Sequence, residues 1–204
     1  MNAEALRQQN HQENYPAVEG CPPRATLMKA LAFCDADAQP LPRFAVDLGC
    51  GDGQDTAELL RRGWRVLAID REPEAIARLR RRSDLDRTHL ETRVQHFENL
   101  TLPPDLSLIN ASFCLPFCPP QHFAQLWEEI VVALSPGGRF CGQLLGDRDT
   151  WAVSANLTCH NRSQVNQLLT PFEVEWLKEE NHPSKTALGE EKHWHIFHIV
   201  ARKR

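Results

Sequence analysis

The residues best placed to do chemistry are the run Val46-Asp47-Leu48-Gly49-Cys50-Gly51-Asp52-Gly53-Gln54 and a further acid at Asp70. Glycine tolerates positive φ and lets a backbone approach a ligand closely. A helix that follows such a turn points its free N–H groups at the same spot. A dinucleotide fingerprint, G-x-G-x-x-G, would place glycine at position 54. Gln54 stands there instead; the glycines alternate as Gly49-x-Gly51-x-Gly53, and an acid precedes the first by two residues. A carboxylate at Asp47 repels a pyrophosphate and attracts an ammonium group. Asp70 closes the next predicted strand, where a carboxylate can accept hydrogen bonds from both hydroxyls of a ribose. The pattern suits a ligand with a ribose, a cationic amino-acid tail and no phosphate.

These residues need a strand before the glycines and a helix after them. Proline and glycine punctuate the chain accordingly. Residues 1–20 read as a mobile or capping arm, and 21–204 as one domain. Pro22-Pro23 open an amphipathic helix through Leu27, Leu31 and Phe33, and Asp37 to Pro42 is a linker. Phe44 to Gly49 is a strand running into the glycine turn, with a helix over Thr56 to Arg62 and a second strand over Trp64 to Ile69. Pro73 starts a helix ending in Arg80-Arg81-Arg82, where cations suit the helix dipole. Strands follow at His89 to Val94 and Leu106 to Ala111, then a helix from Pro119-Pro120 to Leu134. The turn Ser135-Pro136-Gly137-Gly138 feeds a fifth strand, Arg139 to Leu145, and a short helix covers Ser163 to Leu169. Phe172 to Lys178 and Trp194 to Ala201 close the chain as a hairpin, joined by a polar loop with Pro183 and Gly189. Five strands alternating with helices predict an α/β, doubly wound, mostly parallel sheet with helices on both faces.

A ribose-bearing, ammonium-bearing, phosphate-free ligand fits S-adenosylmethionine better than NAD. At these residues the chain resembles the class I S-adenosylmethionine-dependent methyltransferases: Val-Asp-Leu-Gly-Cys-Gly-Asp-Gly is similar to that family's first motif. Leu134-Ser-Pro-Gly-Gly138 resembles its turn before the fifth strand. Among subgroups it is similar to small-molecule enzymes of the tellurite-resistance type. The resemblance implies a Rossmann-like sheet of seven strands in the order 3-2-1-4-5-7-6, strand 7 antiparallel. It implies that Gly49, Cys50, Gly51 and Gly53 wrap the methionine part of S-adenosylmethionine, with Asp47 meeting its ammonium directly or through water. Asp70 would hold the ribose and Arg71 would lie beside the adenine. An acid usually follows the third strand; here His96 occupies that place, with Phe97 next to it and Glu98 as a shifted alternative. Ala111 would offer its backbone near the amine end.

Methyl transfer from a sulfonium is an in-line displacement that positioning can catalyse, and a general base is needed only when the acceptor must lose a proton. No catalytic triad is visible, so the catalytic residues are left unassigned. Ligands gather beyond the C-terminal strand ends of such sheets, which nominates Tyr15, Arg24, the stretch Asn110 to Phe117, Arg148 and Trp151 for the acceptor. Asn110-Ala-Ser-Phe113 shares its place with the Asn-Pro-Pro-Tyr motif of amino methyltransferases but differs at two positions in kind. The expected reaction is methyl transfer to a small-molecule acceptor; the alternative is an S-adenosylmethionine-binding sensor or non-catalytic subunit. Gln54 disfavours a nucleotide-dependent oxidoreductase.

Composition bounds these readings. With 204 residues, 42% of them hydrophobic, the chain can bury a core without disulfide or metal staples. Its seven cysteines, an odd number without a leader-like start, read as reduced thiols, mostly buried. His193 and His195 share one strand face and His198 the other, an arrangement read as structural, so no metal is expected. A net charge of −4 excludes a globally basic nucleic-acid binder, and the arginines from Arg61 to Arg87 read as a solvated helix face. No apolar run approaches the ~20 residues of a membrane span. The chain reads as cytoplasmic, a monomer or homodimer, with no nucleic-acid or membrane partner.

Overall fold

A computed structural model describes residues 22–38, 41–185 and 191–204. The strands are β1 Phe44–Leu48, β2 Arg65–Asp70, β3 Leu90–Val94, β4 Leu106–Ala111, β5 Leu134–Gly146, β6 Cys159–His160, β7 Phe172–Lys185 and β8 Glu191–Lys203. The helices are α1 Ala25–Asp35, α2 Gln54–Arg61, α3 Pro73–Arg81, α4 Pro120–Ala133 and α5 Arg162–Leu168. One sheet runs β3-β2-β1-β4-β5-β8-β7, with β6 paired to β5 off that path. Strands β1 to β5 are mutually parallel where they pair, and β8 runs antiparallel to both its neighbours. This is the expected order, with β7 and β8 taking the places of the sixth and seventh strands.

The apolar strands are buried because both faces are covered. One core layer packs Leu27 and Leu31 of α1, Leu59 of α2, and Ile76 and Leu79 of α3 against Ala45, Val66, Leu108 and Val200. The other packs Phe123, Trp127 and Ile130 of α4 and Val165 of α5 against Val46, Leu67, Ile109 and Phe140. Pairing across these two layers leaves the C-terminal ends of β1, β2 and β4 at one edge, where the glycine turn begins. Arg139, 3% exposed at its side chain, pairs with Asp37 at 2.6 Å and Glu175 at 2.7 Å, tying the segment after α1 to β7.

Five differences from expectation have local causes. The two-residue β6 is too short to carry a periodicity. In β5, Leu134 pairs with Leu106 but Arg139 pairs with Leu108, so Ser135–Gly138 loops out of the ladder at the predicted turn, with Gly137 at φ 82°. Pro183, assigned to the joining loop, lies in β7 opposite His193. An edge strand tolerates proline because one row of its N–H groups has no ladder partner. The hairpin is also longer than expected: β5–β8 pairing stops at Leu145–Ile196, while β7–β8 pairing continues to Lys185–Glu191 as a two-stranded ribbon. The arginine-rich end of α3 is not simply solvated, since Arg82 pairs with Asp84 at 2.7 Å and Arg80 donates to Thr92 at 2.7 Å.

The six described cysteines are free thiols, and Cys50, Cys114, Cys118 and Cys141 are buried. Among the described residues no helix is long and apolar enough to cross a membrane.

Candidate functional site

The site is built where β1 ends. Gly49, Gly51 and Gly53 all take positive φ, at 63°, 56° and 84°. Gly53 is the left-handed residue that starts α2, and its carbonyl accepts the first helical bond, from Ala57 at 2.9 Å. Two of the glycines also face close neighbours, and at Gly49 the neighbour is a Cβ that cannot swing away. A Cβ on Gly49 would come within 2.4 Å of Cys114 Cβ, and one on Gly53 within 2.2 Å of Leu79 Cδ1. Cys114 is held over the turn by its Sγ donating to Leu48 O at 3.1 Å. Arg82 reaches in from beyond α3 and donates to Asp52 O at 3.2 Å.

Three carboxylates surround this turn. Asp70, half-buried at the end of β2, accepts from Gly51 N and Glu72 N, each at 2.9 Å. Asp47 is 1% exposed beneath the loop. Its carboxylate accepts from Thr56 Oγ1 at 2.5 Å and Asn110 Nδ2 at 2.8 Å. The same Asn110 Nδ2 donates to Asp55 at 2.9 Å, and Asp55 also accepts from Ser112 Oγ at 2.7 Å and Arg24 N at 2.8 Å. Burial, reinforced by the neighbouring Asp55 charge, pushes the Asp47 carboxyl up to about 7. Burial likewise raises the thiols of Cys50, Cys114 and Cys141, so these sulfurs stay protonated. Asp47, Asn110 and Cys141 stand in register across β1, β4 and β5, forming a polar row inside an otherwise apolar sheet.

Residues 45–138 match a family described as a methyltransferase domain. That stretch is just under half of the chain, and over it the chain is similar to methyltransferase domains. In the sheet the glycine turn follows β1, and Asp47 and Asn110 lie beneath it. Over 116 residues the chain is 32% identical to carboxy-S-adenosyl-L-methionine synthase of Erwinia tasmaniensis, covering 54% of this chain and 45% of that protein. It thus spans less than half the length of this curated relative. Among solved structures, TehB from Haemophilus influenzae superposes with a TM-score of 0.72 at 15% identity, covering 87% of this chain and 62% of that one. The N-methyltransferase NodS from Bradyrhizobium japonicum, solved with S-adenosyl-L-homocysteine, gives 0.69 at 16% identity, covering 96% and 97%. At these identities the two structures show a shared fold.

Around the glycine turn the structure assembles Asp47, Gly49, Cys50, Gly51, Gly53 and Asp70, with buried Ala111 ending β4 on the neighbouring strand. Arg71 lies beside Asp70 and pairs with Glu72 at 3.0 Å. His96 stands past the end of β3 with its side chain 63% exposed, 3.9 Å from Glu98, and Phe97 packs partly into the core. Arg24 joins the site through its Asp55 bond, and its guanidinium lies 5.0 Å from the Phe113 ring. Arg148 and Trp151 make their contacts with the ribbon instead. Arg148 pairs with Glu179 at 3.0 Å, and Trp151 packs on Trp194 around the buried Lys192 ammonium, which is bound to Asp149. Tyr15 lies outside the described residues.

Sequence reasoning missed Asp55, Thr56 and Gln143, while Ser112 lies in the nominated stretch Asn110 to Phe117. Gln143 accepts from Phe113 N at 2.9 Å and donates to Thr26 Oγ1 at 3.0 Å, fixing Phe113 at φ 55°. A signal existed for Gln143, a lone amide in an apolar strand, but not for Asp55, since the helix dipole favours an acid in any first turn.

Proposed function

We propose that the chain transfers a methyl group from S-adenosylmethionine to a small-molecule acceptor, with catalysis coming mainly from positioning. The observation that carries this reading is the glycine turn with three carboxylates around it. The turn presents bare backbone at positive φ at Gly49, Gly51 and Gly53, which suits close approach of a ligand. Its negative surroundings suit a ligand bearing ammonium and sulfonium charges and repel a pyrophosphate. When bound, S-adenosylmethionine supplies a methyl group on a positively charged sulfur, which a nucleophile can take in line.

The chain's own residues divide the work. Gly49, Cys50, Gly51 and Gly53 present backbone to the methionine part. Asp70, whose two oxygens each already accept one N–H, retains a lone pair on each for the ribose hydroxyls. Asp47 lies under the loop with both oxygens engaged, so it acts on the ammonium by its charge and through the polar groups above it. Arg71, His96 and Phe97 flank the adenine, and Ala111 offers its backbone at the amine end. Arg24 borders the acceptor side through Asp55 and Phe113. Arg148 and Trp151 would contribute from the ribbon.

Small acceptors are supported by two proteins of the same fold: NodS is an N-methyltransferase. A Burkholderia thailandensis structure of the same fold is a 1,6-didemethyltoxoflavin-N1-methyltransferase, solved with that small molecule. The test is a screen of pooled small molecules, thiols and oxyanions with methyl-labelled S-adenosylmethionine. Label transferred to a small molecule, and abolished by Asp70→Ala, supports the reading. Tight binding without transfer to any pool selects the non-catalytic sensor instead.

A further inference from the structure

His198 is a partly buried titratable group that the account above does not use. It lies on β8 opposite Gln143 of β5 and Lys178 of β7, so the three side chains share one sheet face. A continuous path leads there from the glycine turn. Asp47 holds Asn110 at 2.8 Å, and Asn110 Oδ1 accepts from Ser112 Oγ at 3.1 Å. Next in the chain is Phe113, whose N–H is fixed by Gln143 and whose ring meets the His198 ring edge-on at 6.2 Å. A bulky residue at φ 55° persists only where its surroundings over-determine it, and such positions cluster at active sites. Phe113 is held in this way on three sides, by Gln143, by the Arg24 guanidinium and by His198.

The imidazole is 16% exposed, and its Nε2 is buried without a hydrogen bond, 3.5 Å from Glu180 Oε2. A carboxylate at that distance favours the tautomer with the proton on Nε2, leaving the Nδ1 lone pair as an acceptor. The surrounding charges come from two elements. From β7, Glu180 is paired with Lys178 at 2.5 Å, and Trp176 packs on the His198 ring at 6.2 Å. From the α1 side, Lys29 sits over Trp176 at 4.9 Å and Arg24 over Phe113 at 5.0 Å. Burial keeps the imidazole below the usual histidine range, with Glu180 opposing and Lys178 reinforcing that effect. His195 on the same strand differs, since both its nitrogens are engaged, one by Arg148 N at 3.1 Å and the other by Glu179 at 3.0 Å.

We propose that His198, oriented by Glu180, is the general base that takes the proton of the methyl acceptor, which is then a hydroxyl or ring N–H compound rather than a thiolate. This rests on the methyl-transfer reading above. The acceptor's lone pair forms the bond to the methyl carbon as the carbon–sulfur bond breaks and its electron pair stays on sulfur. The acceptor's proton passes to Nδ1 of His198, making an imidazolium, and from there to water.

The test is NMR of the full chain with labelled histidine and glycine, titrated with pH and with S-adenosylhomocysteine. The proposal predicts a neutral His198 ring at pH 7 with the proton on Nε2, and a lower titration midpoint in Glu180→Gln. It also predicts that S-adenosylhomocysteine moves both the His198 ring signals and the Gly51 and Gly53 amides. With an acceptor found by the label screen, His198→Gln lowers kcat about 100-fold and removes its acid limb, while affinity for S-adenosylhomocysteine changes less than about threefold. A His198 ring charged at pH 7, a proton on Nδ1, or signals that stay still while Gly51 moves would each overturn the proposal. If neither His198 nor the glycines move, the cofactor reading falls and this proposal with it.

Discussion

Replacing Asp47 by Asn separates the ligand's requirement for a charge from the fold's dislike of it. The Asp47 carboxyl is raised from 3.8 to about 7, first by burial and then by Asp55. Between those values the folded protein keeps a proton that the unfolded chain has lost, so stability falls as pH rises, by about 1.4 kcal/mol per unit. The full interval corresponds to ~4 kcal/mol, and sharing one proton with Asp55 reduces this, giving about 2–4 kcal/mol. An amide at this position can still accept from Asn110 and donate to the Thr56 hydroxyl, so no partner is left unsatisfied. Ligand-free Asp47→Asn should therefore match the wild type near pH 4 and exceed it by that amount at pH 8. His160 works in the opposite sense, because burial lowers it to about 4 and stability from it rises with pH up to the ordinary histidine range. Both proteins carry His160, so it cancels in the difference between their urea-unfolding free energies at pH 5, 6, 7 and 8. Parallel curves, or a variant less stable at pH 8, would refute the reasoning. The same variant should bind S-adenosylhomocysteine at least about tenfold more weakly, a loss of ~1.4 kcal/mol.

Two further substitutions test packing around the site. Gly49→Ala combines a positive φ with a 2.4 Å approach to Cys114 Cβ, and should cost about 2–4 kcal/mol in thermal or urea unfolding. A loss below ~1 kcal/mol would mean that the turn is softer than described. Arg139→Met leaves Asp37 and Glu175 facing each other without their shared cation and should lower stability by about 3 kcal/mol, read by urea unfolding.

The parallel sheet was legible because its strands are short apolar runs bounded by glycine, proline or acids, and because each is followed by a helical period. The glycine turn was legible because positive φ and close packing both demand the same residue. The polar row beneath it was not. Asn110 lies 63 residues from Asp47 and 55 from Asp55 and meets them only because β4 pairs with β1 beside α2, so no local pattern announces that one amide bridges two carboxylates. The ribbon was underestimated for a related reason: Pro183 reads as a loop residue until the strand that carries it is known to be an edge. Arg148 and Trp151 sit near the expected end of β5, yet their partners, Glu179 and Trp194, come from the hairpin, whose length periodicity did not reveal.

The central claim is that this turn, with its surrounding acids, binds a nucleoside carrying an ammonium-bearing amino-acid tail. Isothermal titration of the full chain with S-adenosylhomocysteine at pH 7.5 tests it most directly. The account predicts saturable one-to-one binding that Gly51→Val and Asp70→Ala abolish without unfolding the protein. A folded wild-type chain that releases no heat, or variants that bind as well as the wild type, would contradict it.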